Sequence, residues 1–154
     1  MKKIFAALLA VLMIFTFIGC AKSEPKFYEA EAVADALSIG LEFGEELEKS
    51  TAEIAYTIYG IDPALCTNAA LYIGSGATAD EIAVFNCVDD ASTETVFNAA
   101  ETRLQYLYDG YSSYGPQEVS KIAASSVIRE GNTVIFCVCN NFDAVQQIAD
   151  SAAE

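Results

Sequence analysis

Histidine is absent from all 154 residues. Without an imidazole the chain lacks the usual general base near neutral pH, the commonest metal ligand, and any Ser-His or Cys-His nucleophile. Most hydrolase mechanisms are excluded at once. Basic residues are scarce as well: 8 Lys and Arg stand against 22 Asp and Glu, a formal charge of −14. So acidic a surface repels nucleic acid and anionic lipid head groups, which leaves neutral or cationic partners. No cofactor is expected.

Long apolar runs are missing except at the start. Met1-Lys2-Lys3 leads into an apolar stretch from Ile4 to Ile18 that ends at Gly19-Cys20. A membrane span needs about 20 apolar residues, and this run is shorter and turns polar at Ala21-Lys22-Ser23-Glu24-Pro25-Lys26. The pattern is that of a signal peptide over residues 1–19. Phe17-Ile18-Gly19-Cys20 resembles the lipobox of bacterial lipoproteins, although Phe17 replaces the usual Leu. Cys20 is then the lipidation site and new N-terminus. A thioether-linked diacylglycerol with an N-acyl chain such as palmitate supplies the two or more chains that stable anchoring needs. The expectation is a lipid-anchored protein on the extracytoplasmic face of the cell membrane, with a tether over 20–27 and one domain over 28–154. Cleavage removes Lys2 and Lys3 but no acid, so the formal charge moves from −14 to −16.

Beyond the tether, Ala30, Val33, Ala34, Leu37 and Leu41 recur at helical spacing, which predicts an amphipathic helix over 29–43 closed by Gly44. Ser50-Thr51-Ala52-Glu53 starts a second helix carrying Ile54 and Ile58 to Gly60. Short apolar runs follow. Residues 69–73 and 82–88 read as strands joined by Gly74–Asp80, and Asp89-Asp90-Ala91-Ser92 caps a helix to about Tyr108 with Val96, Ala100, Leu104 and Leu107 inward. Asp109–Pro116, rich in Gly, Ser and Tyr, reads as a loop. The end repeats the order: strands at 125–129 and 133–139 around Glu130-Gly131-Asn132, then a helix capped by Asn140-Asn141 with Phe142, Val145, Ile148 and Ala149 inward. Aligning the two copies pairs Phe85 with Phe136. The predicted fold is α+β: an N-terminal helical pair, then two β-β-α units forming a four-stranded antiparallel sheet with helices packed on it.

The same alignment puts Cys87 on the face of Phe85, and Cys137 and Cys139 on the opposite face. Cys137 and Cys139 lie two apart in an extended run, near the limit of disulfide reach, and Cys66 and Cys87 show no paired spacing. The four read as buried free thiols, with a metal or disulfide as the alternatives, and reductant is not expected to destabilise the domain.

Tyr59-Gly60-Ile61-Asp62-Pro63, the run from Tyr72 through Ser75-Gly76-Ala77-Thr78-Ala79-Asp80-Glu81-Ile82-Ala83-Val84-Phe85, and the closing Gly131–Val138 strand resemble an uncharacterised family of Firmicutes lipoproteins, domain-of-unknown-function family 4358. The resemblance implies a Gram-positive, membrane-anchored, extracytoplasmic protein. It carries no catalytic or binding residues.

Three segments invite a functional reading. Gly74-x-Gly76-x-x-Ala79 fits a dinucleotide fingerprint after a strand, but a strand follows where a helix is required. A strand connection, with Thr78 and Glu81 in a capping box, explains it better. Asp89-Asp90 and Glu45-Glu46 are carboxylate pairs without calcium-loop spacing, read as a helix start and a solvated face. Tyr106, Tyr108, Tyr111 and Tyr114 form the candidate binding surface, because tyrosines among small polar residues make rigid amphipathic contacts. Two functions fit: a non-catalytic binding module of the cell envelope, its partner a cationic protein or peptide, or an envelope enzyme acting on peptide or glycan through carboxylates.

Overall fold

In the computed structural model, which describes residues 26–153, the chain runs α1 (Ala30–Gly40), β1 (Glu48–Ser50), α2 (Ala52–Tyr59), β2 (Cys66–Ile73), β3 (Glu81–Cys87), α3 (Asp90–Tyr114), α4 (Pro116–Ala124), β4 (Val127–Glu130), β5 (Thr133–Val138) and α5 (Val145–Ala152). The expected signal peptide and Cys20 lie outside the described residues, as does the tether up to Pro25. No described helix is long and apolar enough to cross a membrane.

One antiparallel sheet organises the fold, in the order β1-β2-β3-β5-β4. It has five strands, not the four predicted. The extra strand is β1, paired with β2 through Glu48↔Ile73, Lys49↔Tyr72 and Ser50↔Leu71. Three polar residues show no apolar alternation, so nothing in their pattern announces a strand. The helical pair is corrected too. β1 separates α1 from α2, and the two helices pack on opposite faces of the sheet.

The central strands β3 and β5 are buried at every position because helices cover both faces. That explains their continuous apolar runs. On one face Ala83, Phe85, Val134, Phe136 and Val138 meet α2, α3 and α4. On the other, Ile82, Val84, Ile135 and Cys137 meet Val33, Leu37, Val145 and Ala149 of α1 and α5. Phe85 and Phe136 clasp Tyr59, with ring centroids 5.0 Å and 5.4 Å away at steep angles. Each buried ring contributes about 1.5 to 3 kcal/mol. Cys87 lies in the Phe85 cluster and Cys139 in the opposite one, as the period of two requires.

Local chemistry sets several boundaries. The Asp89 side chain accepts from the Ser92 amide at 2.8 Å and starts α3. Thr51 likewise starts α2, but Ala55 and Tyr59 form its buried stripe and Ile54 is exposed. α1 ends at Gly40 rather than Gly44. After β5, a 3-10 turn over Phe142–Ala144 precedes α5, and Asn141 makes no side-chain cap bond. Inside the α1 face Asn86 accepts from the Ala30 amide at 2.8 Å and donates to the Tyr28 carbonyl and the Thr133 hydroxyl. This buried amide fixes where α1 begins.

Candidate functional site

The segment Asp109–Pro116, expected as a loop, is helical to Tyr114, and α4 starts at Pro116. The four tyrosines therefore project from one helix, where the two-residue step turns Tyr108 away from Tyr106 and the three-residue step keeps Tyr111 and Tyr114 neighbours. They do not make one surface. Tyr106 is 68% exposed, Tyr108 partly exposed, Tyr111 only 3% exposed and Tyr114 67% exposed. Tyr111 faces inward, its hydroxyl donating toward the carbonyls of Gly76 and Thr78. Tyr114 lies against it with ring centroids 4.8 Å apart.

Tyr106 stands at the mouth of a cavity of about 310 Å³ between α2 and α3, lined also by Ile58, Tyr59, Ala99, Thr102 and Arg103. The Arg103 guanidinium lies 5.5 Å from the Tyr106 ring centroid, which fixes both side chains by a cation–π contact. Behind it Arg103 donates to Glu81 through Nε at 3.2 Å and Nη2 at 2.6 Å, and the Tyr59 hydroxyl donates to the same carboxylate at 2.7 Å. Burial, then the neighbouring Glu81 charge, pushes the Tyr59 hydroxyl well above its ordinary pKa. It serves as a fixed donor. Glu81 is a strand residue, so the expected capping box with Thr78 does not form.

Arg103 also borders a second cavity of about 190 Å³ under the Gly74–Asp80 connection. That connection is a strand link, as the missing helix requires. Its amides nevertheless hold an anion, and the anion is Glu45. The Glu45 carboxylate accepts from the Ser75 hydroxyl at 2.6 Å, the Ser75 amide at 3.0 Å, the Thr78 hydroxyl at 2.9 Å and the Thr78 amide at 3.0 Å. A Cβ at Gly74 would come within 2.6 Å of that carboxylate, so a larger residue there would push the Glu45 side chain out of this position. Glu45 was expected on a solvated face with Glu46; of the two, only Glu46 is exposed.

These bonds, the Ser75 hydroxyl first, lower the Glu45 carboxyl from 4.5 to about 2. A depressed folded value means that the stabilisation is present above pH 4.5 and is lost as pH falls through about 2. Glu45→Gln is expected to cost about 1 kcal/mol at neutral pH after solvent screening. Urea titrations should show the gap between wild type and variant closing as pH falls from 4.5 towards 2. A gap independent of pH would refute the clamp.

A third polar knot sits beside it. The Lys121 ammonium donates to Asp80 and Glu118 at 2.7 Å each, while Asp80 accepts from the Gly44 amide at 2.6 Å and Glu118 from the Ala79 amide at 3.0 Å. Among the described residues every buried side-chain nitrogen and oxygen has a partner, and no cluster of Cys, Asp and Glu is arranged to hold a metal.

The family profile Domain of unknown function (DUF4358) matches residues 41–139. The chain belongs to that family. The match begins after α1 and ends after β5, so it takes in the whole sheet, the Glu45 clamp, both cavities and the Lys121 knot. No curated protein and no solved structure matches the chain. For this DUF4358 domain, function is therefore argued from the site. The site combines Tyr106, singled out by the sequence, with Arg103, Glu81, Tyr59 and Glu45, which sequence reasoning missed as site residues. Glu81 carried a signal, being a charged residue opening an apolar run.

Proposed function

We propose that the chain is a lipid-anchored, extracytoplasmic binding module of a Gram-positive cell envelope, and that the cavity at Tyr106 receives an apolar side chain of a cationic protein or peptide. The anchor rests on the short apolar leader ending at Gly19-Cys20. The observation that carries the binding reading is the state of the charges. All five basic side chains of residues 26–153, Lys26, Lys49, Arg103, Lys121 and Arg129, are already ion-paired with acids of the same domain. The acids left over give the surface its negative field, which steers a basic partner towards the exposed Tyr106 ring. Carboxylate catalysis is the weaker reading because the inward acids Asp80, Glu81 and Glu118 are committed to Lys121 and Arg103.

Two measurements test the proposal. Cys20→Ser should leave the detergent phase or accumulate as uncleaved precursor; partitioning identical to wild type would sink the anchor. A basic peptide with one aliphatic anchor residue should bind the domain, weaken with salt, and lose about tenfold on Tyr106→Ala, a change of about 1.4 kcal/mol. Unchanged binding by a folded variant would sink the cavity.

A further inference from the structure

Cys66 and Cys87, which show no paired spacing along the sequence, are Cα partners at the end of the β2–β3 ladder. Both side chains belong to the Phe85 face: Cys87 is buried within that cluster and Cys66 packs against it, partly exposed. The Cys87 amide donates to the Asn132 carbonyl at 2.8 Å, on the β5 side, so it is not shared with Cys66. The ladder register shifts by one residue between Cys66 and Asn68, so the pair lies just beyond a β-bulge; with the Cys87 amide turned to β5 the two oppose each other as a non-hydrogen-bonded pair, the type in which side chains come closest. Disulfides span Cα separations of about 4.4 to 6.8 Å.

We propose that Cys66 and Cys87 are a built disulfide site, closing the β2–β3 hairpin when the domain meets a thiol–disulfide oxidant outside the cell. Partly exposed Cys66 gives up its proton and attacks one sulfur of the oxidant, a step slowed because the adjoining Cys87 and burial hold its thiol above the ordinary value, and a mixed disulfide forms with release of one thiol. Cys87 then attacks the Cys66 sulfur, and the second oxidant sulfur leaves as thiol. The two cysteines lose two electrons and two protons, and the oxidant gains them. Cys87 suits the resolving role, since it is buried directly opposite Cys66, out of reach of the oxidant but next to the Cys66 sulfur of the mixed disulfide. Cys137 and Cys139 also neighbour each other but are both buried, so a bulky oxidant does not reach them. The proposal rests on the extracytoplasmic reading of the leader but not on peptide binding.

The test uses the mature chain treated with oxidised glutathione, then unfolded, alkylated and cut with trypsin. Cys66 and Cys87 share the peptide between Lys49 and Arg103, whereas Cys137 and Cys139 share the one after Arg129. The first peptide should lack two hydrogens and take no alkyl group, and the second should take two. Cys87→Ser should stop the reaction at glutathione on Cys66. The oxidised wild type should melt several degrees above its reduced form, a difference absent in Cys66→Ser. Alkylation of both Cys66 and Cys87 after oxidation, or stable glutathione on wild-type Cys66, would overturn the proposal.

Discussion

Replacing Arg103 with Ala is expected to lower the unfolding free energy by about 3 to 5 kcal/mol, the cost of leaving a buried carboxylate without its cation. Glu81 is that carboxylate, its side chain 3% exposed and held by two guanidinium bonds. Among the described residues Tyr59 would remain as its other side-chain donor, and one hydroxyl does not offset the lost charge. Arg103→Lys should recover part of the loss, because a point charge cannot make both bonds in the fork. The informative variant is the double one, Arg103→Ala with Glu81→Leu. Removing the carboxylate as well should recover much of the stability, since the penalty lies in the orphaned charge rather than in the pair itself. Urea unfolding of the four proteins checks this. A single-variant loss under about 1 kcal/mol would show that water reaches Glu81.

The elements legible in the sequence are those that period alone defines. Val33, Ala34 and Leu37 mark α1, and the buried runs around Phe85 and Phe136 mark β3 and β5, because each pattern reports which side chains leave water. The duplicated order was legible for the same reason, and β3 and β5 prove to be neighbours at the centre of the sheet. β1 was not legible, since its pairing with β2 rests on backbone hydrogen bonds that any three residues can make. The site was legible only at Tyr106. Glu45 meets Ser75 and Thr78 across some 30 residues, Arg103 meets Glu81 across 22 and Cys66 meets Cys87 across the hairpin, contacts fixed by topology rather than by local spacing.

Tyr111 shows where composition misleads, and its removal should be among the most damaging single changes in the domain. Gly110, Ser112 and Ser113 are poor helix formers, and Gly in a helix interior costs about 1 kcal/mol, so the segment looks like a connector. What holds it helical is tertiary. The Tyr111 ring is buried in the Phe85 cluster and its hydroxyl bonds the Gly76 and Thr78 carbonyls, tying α3 to the loop that grips Glu45. Gly115 gives the ring room, since a Cβ there would stand 2.7 Å from Tyr111 Cδ1. Tyr111→Ala should therefore cost about 3 to 5 kcal/mol through cavity and lost bonds, and Tyr111→Phe about 1 kcal/mol through the bonds alone. Tyr114→Ala, at an exposed position, should cost under about 1 kcal/mol. Thermal and urea unfolding of the three variants would separate these roles. Equal losses for Tyr111→Ala and Tyr114→Ala would mean that Tyr111 is a surface residue like its neighbour, and that some other contact keeps the end of α3 helical.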